Sequence, residues 1–396
     1  MSTRTLTLLR NADVFDPEPR GRSDVLVGGG RILALAERLD LGAGLDALSE
    51  VVDLGGARVI PGLIDAHVHV TGGGGESGPA SRVPGIALST LTRAGVTTCV
   101  GVLGTDGTTR TVAALVAETL ALREQGLSAW CWTGGYEVPP ITLTGKVRSD
   151  IVFVDPILGV GEVAISDHRS SQPTFDEIVR VAADCHVAGM MSNKAGVLHL
   201  HLGDGARGLE LVRRALDETE LPASVFYPTH VNRKTRLFAE ALEVARRGCT
   251  VDVTAFPVED GEDAFSAPDA ILKYLESGAP PDKLTCSSDG GGCLPTFDGA
   301  GRLVTMDVGE PSALAETLET LLRRGAALRE ILPIFTRNVA SVLRLEHKGR
   351  LAAGMDADLV VLDDEHRIRD VMAGGRFFVR SGSPVVLGKF ETRASR

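Results

Sequence analysis

Two histidines separated by one residue are the first sign of chemistry in this chain. His67 and His69 lie in GLIDAHVHVTGGGGESGP, where a short apolar run leads into a glycine-rich loop. If the run is a strand, side chains at i and i+2 share a face, and both imidazoles point the same way. Imidazole binds Zn²⁺ and similar divalent ions. The pair alone is a weak signal, because a lone strand-end histidine is more often a hydrogen-bonded core residue.

Four further polar residues follow later apolar runs, each where a strand would end. They are Glu162, His201, His230 and Asp289. In a barrel of parallel strands these ends meet at a single mouth. The sequence therefore predicts that these four and the two histidines of the first run form one metal site. His199 shares a strand face with His201, but it is expected deeper in the barrel and is assigned no ligand role.

The elements that must position these residues are visible from Gly62 onward. Eight short β-branched runs alternate for the most part with amphipathic segments: GLIDAHVHV, VTTCVGVL, SAWCWTG, GVGEVAIS, GVLHLHL, ASVFYPTH, CTVDVTAF and KLTCSSDG. One intervening segment, RLFAEALEVARRG, has Leu237, Ala241 and Val244 at helical spacing and stops at Gly248. Strand–helix alternation predicts a parallel sheet, and eight units favour a closed (β/α)₈ barrel, an α/β fold.

The two chain ends differ from this middle part. Residues 1–61 contain short strands separated by turn signals, and GRLAAGMDADLVVLDDEHRIRDVMAGGRFFVRSGSPVV near the C-terminus resumes that style. Neither end would easily bury a sheet face alone. We therefore predict one small β-sandwich domain built from residues 1–61 and 345–396, with the barrel, residues 62–344, inserted between them.

Composition excludes several classes of protein. The chain has 396 residues, 43% of them hydrophobic, and a net charge of −11 at pH 7. Without a Lys/Arg run, this acidic chain is a poor candidate for nucleic acid or anionic membranes. No apolar run approaches the ~20 residues of a membrane span. The N-terminus lacks a secretory pattern, and the six cysteines are scattered without a CxxC pair, so a cytoplasmic location is expected.

Taken together, these features resemble the amidohydrolase superfamily and, within it, the isoaspartyl dipeptidase family. The shared stretches are HVHVTGGGGESGP, GVLGTD, TGGYEVP, ISDHRS, HLGD, PTHVNR and SSDGGG, and GMDADLVVLD extends the likeness toward the C-terminus. GGGGE together with ISDHRS and THVNR is specific. The resemblance implies a zinc-dependent hydrolase that cleaves the isopeptide bond of β-aspartyl dipeptides. It also implies two divalent ions per chain, expected to be Zn²⁺, and a homo-oligomer.

The resemblance also implies catalytic roles. Two divalent ions would lower the pKa of a bridging water and polarise the scissile carbonyl. Asp289 would take a proton from the attacking hydroxide and pass it to the leaving amine, first as general base and then as general acid. Tyr136 in TGGYEVP would donate a hydrogen bond to the oxyanion.

A β-aspartyl dipeptide has two carboxylates and one free α-amine, so its site needs both signs of charge. By resemblance, Glu76 would bind the ammonium, and the Gly74 backbone and the Thr105 hydroxyl would bind the aspartyl α-carboxylate. Glycines let the backbone approach the substrate closely. Arg169 and Arg233 would hold the C-terminal carboxylate through charge-assisted hydrogen bonds.

Two residues depart from the family pattern. Where the family has a carbamylated lysine that bridges the metals, this chain has Glu162, and DPILGVGEVAISDHRS contains no lysine. A glutamate provides the same single negative charge with a shorter reach, so we expect Glu162 to be the bridging carboxylate, with Gly161 permitting a strand shift. Cys293 replaces a serine that helps to bind the C-terminal carboxylate, and a thiol is the weaker donor.

Two alternatives remain open. Another amidohydrolase, such as a dihydroorotase- or hydantoinase-like enzyme or an N-acyl amino acid deacylase, would explain the metal ligands. It would not explain Glu76 together with Arg169 and Arg233. A non-catalytic scaffold is the other alternative, but such chains usually lose several ligands, whereas here one ligand is replaced by another competent one.

Overall fold

The computed structural model describes residues 5–46, 48–259, 261–297 and 303–392. The N-terminal segment forms five strands, with a short helix, α1 (Gly42–Asp46), between the third and the fourth. The strands are β1 (Leu6–Asp16), β2 (Glu18–Gly28), β3 (Arg31–Ala36), β4 (Ser49–Asp53) and β5 (Arg58–Pro61).

Eight short, almost fully buried strands follow. They are β6 (Leu63–Val68), β7 (Val96–Gly101), β8 (Ser128–Thr133), β9 (Ile157–Ile165), β10 (Leu198–Leu202), β11 (Phe226–Thr229), β12 (Val251–Thr254) and β13 (Leu284–Ser287). β6 to β11 pair in chain order as one parallel sheet, and β12 pairs in parallel with β13. A parallel bridge between Val68 and Gly290 connects the first strand to the chain beyond the last. This confirms the predicted (β/α)₈ barrel.

Helices cover the outside of the barrel. They are α2 (Leu88–Arg93), α3 (Val112–Glu124), α4 (Val147–Phe153), α5 (Phe175–Ser192), α6 (Glu210–Glu218), α7 (Thr235–Arg246), α8 (Ala267–Glu276), α9 (Ser312–Arg323), α10 (Leu328–Phe335) and α11 (Arg337–Val342). α5 begins with a capping box between Thr174 and Glu177. α7 buries Leu237, Ala241 and Val244, the face that the sequence period predicts.

Strands from both chain ends pair in one further sheet, so the two ends combine in one β-structure, as expected for the predicted β-sandwich domain. After a hairpin of β14 (Cys293–Phe297) and β15 (Leu303–Val308), the C-terminal part contributes β16 (Leu359–Leu362), β17 (Ile368–Ala373), β18 (Arg376–Arg380) and β19 (Ser383–Pro384). The nine-stranded sheet has the order β19-β18-β17-β16-β5-β1-β2-β3, with β4 also paired to β1. β5 and β16 join the two ends, Val59 lying opposite Val361.

The domain limits at 61/62 and 344/345 stay a prediction, and the first and last four residues of that assignment lie outside the described residues. Among the described helices, none has both the length and the apolar character needed to cross a membrane.

A buried carboxylate ties the barrel strands together beneath the mouth. Asp252 on β12 accepts hydrogen bonds from the hydroxyls of Thr229 (2.7 Å), Thr285 (2.6 Å) and Ser287 (2.5 Å). These hydroxyls come from the strands on either side of β12. Because a buried carboxylate needs such donors, this arrangement holds β11, β12 and β13 in register directly below the polar residues of the mouth.

Candidate active site

The predicted ligands lie together at the carboxyl ends of five barrel strands. His67 lies on β6 and His69 just after it, Glu162 on β9, His201 on β10, His230 directly after β11, and Asp289 after β13. Each of the six is buried, with at most 5% of its surface exposed. His230 and Asp289 adopt left-handed backbone conformations, with φ of 61° and 54°. Non-glycine residues rarely adopt this conformation, and they cluster where the surrounding structure determines it.

Two groups of ligand atoms in the mouth have the spacing of a metal site. One consists of His67, Glu162 and His230, the other of His67, His69 and Asp289, and within each group the ligand atoms lie within 4.8 Å of one another. His67 belongs to both groups. His201, the remaining predicted ligand, belongs to neither of these two groups in the described part of the chain.

Glu162 faces both groups. Its Oε2 lies 3.4 Å from Nε2 of His67 and 3.5 Å from Nε2 of His230. Its Oε1 lies 3.5 Å from Nε2 of His69. Gly104 makes room for this arrangement, because a Cβ at that position would lie 2.6 Å from the ring of His69 and its φ is +77°. The two carboxylate oxygens are thus directed toward different histidines.

The mouth leaves ligand atoms without hydrogen bonds. Among the described residues, Nε2 of His67 and Oδ1 of Asp289 are buried and have no hydrogen-bond partner. A buried polar atom without a partner is costly. Both atoms face the same small space, with Oδ1 of Asp289 3.5 Å from Nε2 of His67 and 3.0 Å from Nε2 of His69. A divalent cation among these nitrogen and oxygen donors would satisfy them, so the donor set fits a metal ion.

His201 is held by carboxylates on both ring nitrogens. Its Nδ1 lies 3.0 Å from Oε2 of Glu162, and its Nε2 lies 3.0 Å from Oδ2 of Asp167. Asp167 follows β9 in the ISDHRS stretch and also pairs with Arg169 at 2.7 Å. Sequence reasoning missed Asp167, although its place just beyond a strand end could have identified it.

The buried charged groups of the mouth shift one another's pKa values. Burial opposes the charge on Glu162, but the positive charges of His67 and His201 lower its pKa well below the usual range. Burial also opposes protonation of His67, yet Glu162 and Asp289 outweigh it and raise its pKa to about 9. Burial lowers the pKa of His230 to about 3, assisted by the charges of His201 and Arg233. In the absence of a metal, His67 is therefore protonated at neutral pH, whereas His230 is neutral.

A cavity of about 570 Å³ opens above the ligands and is lined by residues of opposite charge. Glu76 accepts a hydrogen bond from the Thr105 hydroxyl (2.9 Å) on Oε1, which also lies 3.5 Å from Arg169. Its Oε2 is buried without a hydrogen-bond partner among the described residues. The Thr105 proton is thus committed to Glu76, so Thr105 orients this carboxylate. Its expected role as a donor to a substrate carboxylate stays untested.

The glycine loop approaches the cavity with its backbone. Gly74 lines the cavity with φ of +75°, and a Cβ there would lie 2.4 Å from the carbonyl oxygen of Ser81. Arg110 holds the loop by donating to the carbonyls of Thr71 (3.3 Å), Val83 (2.9 Å) and Gly74 (3.4 Å). Only glycine fits position 74 without strain, as the repeated glycines in the sequence suggest.

Tyr136 and Arg233 also line the cavity and converge on His201. The Tyr136 hydroxyl lies 2.9 Å from Nδ1 of His201, and Nη1 of Arg233 lies 3.3 Å from Nε2 of the same ring. Burial raises the pKa of Tyr136 well above its ordinary value, so its hydroxyl remains an O–H donor. Arg233 also donates to the carbonyl of Leu202 at 3.1 Å.

Cys293 borders the same cavity at the start of β14. Burial, together with the negative charge of Glu76, raises the pKa of its thiol to about 12. The thiol therefore stays protonated at neutral pH and can donate only a weak hydrogen bond.

Comparison with known proteins identifies the family. The sequence model of the amidohydrolase family matches residues 58–379. The chain belongs to the amidohydrolase family. A β-aspartyl dipeptidase from Fervidobacterium islandicum AW-1, solved in complex with β-Asp-Leu dipeptide, has 44% identity to this amidohydrolase and a TM-score of 0.93, covering 98% of this chain and 99% of that one. A second structure of β-aspartyl dipeptidase from the same organism has 42% identity and a TM-score of 0.89, covering 98% and 100%.

Curated relatives of this amidohydrolase are more distant. Adenine deaminase 2 of Rhizobium johnstonii has 26% identity over 416 residues, which cover 94% of this chain. The amidohydrolase spans only 61% of that relative's length. The match to the family model confirms the superfamily expected from the sequence.

Proposed function

We propose that this amidohydrolase is a metal-dependent dipeptidase that hydrolyses the isopeptide bond of β-aspartyl dipeptides. The observation that carries the proposal is the charge layout of the cavity. Oε2 of Glu76, buried and without a hydrogen-bond partner in the part of the chain that the structure describes, suits a substrate ammonium. Arg169 and Arg233 suit a carboxylate, and all three side chains line the same cavity as the ligand cluster. A β-aspartyl dipeptide presents these groups around its scissile bond.

The metal site of the proposal comprises His67, His69, Glu162, His201, His230 and Asp289. The expected content is two divalent ions, taken to be Zn²⁺, with Glu162 between them in place of a carbamylated lysine. Support comes from the two carboxylate oxygens of Glu162, one of which lies near His67 and the other near His69. Bound divalent ions supply Lewis acidity toward the scissile carbonyl and toward water.

Side chains of the protein would carry out proton transfer, oxyanion stabilisation and substrate binding. Oδ1 of Asp289 would take the proton from the attacking water and pass it to the nitrogen of the leaving amine. The Tyr136 hydroxyl, protonated because of its raised pKa, would donate to the oxygen that becomes negative. Glu76 would bind the substrate ammonium with Thr105 orienting it, and the backbone of Gly74 would approach the aspartyl α-carboxylate.

Arg169 and Arg233 would hold the C-terminal carboxylate, with Cys293 as a weak additional donor. Support for this substrate comes from the relative at 44% identity, which was solved with β-Asp-Leu. Other amidohydrolase reactions, such as cyclic amide hydrolysis and deacylation, would leave the ammonium-binding Glu76 without a purpose. The homo-oligomer and the cytoplasmic location expected from the sequence stay predictions.

A substrate panel tests the proposal. Purified, zinc-loaded protein is assayed with β-Asp-Leu, α-Asp-Leu, hydantoin and N-acetyl-aspartate, with metal content measured on the same sample. We expect turnover of β-Asp-Leu far above that of the other three. Comparable rates on β-Asp-Leu and α-Asp-Leu would refute the assignment, and preferred turnover of hydantoin would favour the cyclic amide alternative.

A further inference from the structure

His199 lies fully buried on β10, two residues before His201, and it contacts a proposed metal ligand. Its Nε2 is 2.8 Å from Nδ1 of His67, and its Nδ1 is 3.0 Å from the carbonyl oxygen of Tyr227. It therefore connects a ligand on β6 to the backbone of β11. From the sequence, His199 is expected deeper in the barrel than His201 and is assigned no ligand role.

The Tyr227 carbonyl determines which ring nitrogen of His199 carries the proton. A carbonyl oxygen only accepts hydrogen bonds, so Nδ1 of His199 is the donor. A neutral imidazole has one donor and one acceptor, so its Nε2 accepts. Within the described residues, the hydrogen-bond partners of the two nitrogens are a histidine and a carbonyl, and neither is a carboxylate that would favour a charged ring. His199 therefore accepts a hydrogen bond from Nδ1–H of His67.

The hydrogen bond to His199 also determines the state of the other ring nitrogen of His67. With the proton of the neutral ring on Nδ1, the lone pair of His67 lies on Nε2. That atom belongs to both candidate metal groups, and it is buried without a hydrogen-bond partner in the described part of the chain. The hydrogen bond from His67 to His199 thus fixes both the tautomer and the direction in which His67 can bind a cation.

We propose that His199 is a positioning residue that holds His67 in the tautomer and orientation needed to bind metal through Nε2. The inference rests on the metal site in the proposed function but not on the identity of the substrate. A partner on the second ring nitrogen is a general device for orienting a histidine ligand, and its loss typically weakens metal binding 10–100-fold.

Packing holds the ring of His199 in place. Trp132 stacks on it with ring centroids 5.2 Å apart and planes inclined by 21°, and the Trp132 indole donates to the carbonyl of Ala66 at 3.1 Å. On another side, a Cβ at Gly161 would lie only 2.7 Å from Cβ of His199. The glycine before Glu162 is therefore the residue that leaves space for His199.

Zinc affinity provides the test. Metal-stripped wild-type protein and the variants His199→Leu, His199→Gln and His186→Leu compete for Zn²⁺ with a fluorescent chelator, after circular dichroism confirms folding. We expect His199→Leu to bind Zn²⁺ about 10–100-fold more weakly. His199→Gln should lose less zinc affinity, because its amide oxygen can accept a hydrogen bond from Nδ1–H of His67. The control variant His186→Leu, on α5, should bind Zn²⁺ as tightly as wild type. Wild-type affinity in His199→Leu, or equal losses in the Leu and Gln variants, would overturn the inference.

A measurement on the wild type keeps the inference testable if His199→Leu fails to fold. Ring ¹⁵N shifts of the zinc-loaded protein should show His67 bound through Nε2, with a slowly exchanging proton on Nδ1. Coordination through Nδ1 would overturn the role of His199 and leave the metal site intact. If the wild type bound no zinc at all, the proposed metal site would fail and the inference with it.

Discussion

Oε1 of Glu162 lies 3.5 Å from Nε2 of His69 in the second group, while its other carboxylate oxygen faces His67 and His230 of the first group. A side chain shorter than a carbamylated lysine thus reaches toward both groups. A glutamate ionises without modification, whereas a carbamate requires dissolved CO₂. Metal assembly around Glu162 should therefore not require dissolved CO₂.

We expect the metal-stripped protein to regain two divalent ions per chain in bicarbonate-free buffer, measured by elemental analysis. Glu162→Ala should lose one or both ions and most activity, whereas Glu137→Ala, at an exposed position, should lose neither. Glu162→Lys should regain activity only with bicarbonate, provided that the strand accommodates the longer side chain. A Glu162→Ala protein with both ions and normal turnover would show that the bridging group lies elsewhere.

Asp289 is expected to move the proton in the reaction. Asp289→Asn should leave the fold and at least one metal ion but lower kcat by about 10²–10⁴-fold, because an amide cannot take the proton from water. The measurement is steady-state turnover of β-Asp-Leu on protein of known metal content. A variant that keeps its metal and its full rate would assign the proton transfer to another group.

Much of this site follows from the sequence, because strand ends of a parallel barrel converge. The alternating runs predict the eight strands, and the polar residues at the ends of five of these runs predict which side chains meet at the mouth. The helical period of Leu237, Ala241 and Val244 predicts the buried face of α7 in the same way. These inferences succeed because they depend on local spacing and on one rule of barrel topology.

The contacts between these residues could not be predicted, because they depend on how distant strands pack. Asp167 contacts His201 from 34 positions away, and Thr105 donates to Glu76 from 29 positions away. His67 and His199 are 132 positions apart. Strand spacing gives the face of each side chain but not its rotamer, and the rotamer decides which of several nearby partners receives the hydrogen bond.

Tyr136 is expected to stabilise the developing oxyanion. Tyr136→Phe removes only the hydroxyl, which lies 2.9 Å from Nδ1 of His201. We expect kcat to fall by about 10²-fold or more with little change in zinc affinity. Steady-state assays of β-Asp-Leu turnover measure kcat, and competition with a chelator measures zinc affinity. If zinc affinity fell as strongly as kcat, the hydroxyl would act through His201, and full activity would exclude both roles.

Metal uptake should release a proton from His67. In the metal-free protein its pKa is raised to about 9, because Glu162 and Asp289 outweigh the effect of burial. Below that pH the ring is protonated and must lose a proton before Nε2 can bind a cation. Zinc affinity should therefore rise with pH from neutrality and level off near pH 9. Calorimetry in buffers of different ionisation enthalpy counts the proton, and an affinity independent of pH between 7 and 9 would contradict this reading.

Glu76 should control substrate binding without affecting the metal. Its Oε2 is buried and has no hydrogen-bond partner among the described residues, and a substrate ammonium would supply one. Glu76→Gln removes the charge and keeps the shape, so KM for β-Asp-Leu should rise by about 10–100-fold, the range for a lost hydrogen bond to a charged group.

The matched control for this prediction is Glu262→Gln, which removes one negative charge from the rim of the same cavity. It should leave KM nearly unchanged, because an exposed charge is screened by solvent. Zinc content should equal that of wild type in both variants. If both variants raised KM equally, the total negative charge of the cavity would attract the substrate. The proposed specific contact between Glu76 and the ammonium would then be refuted.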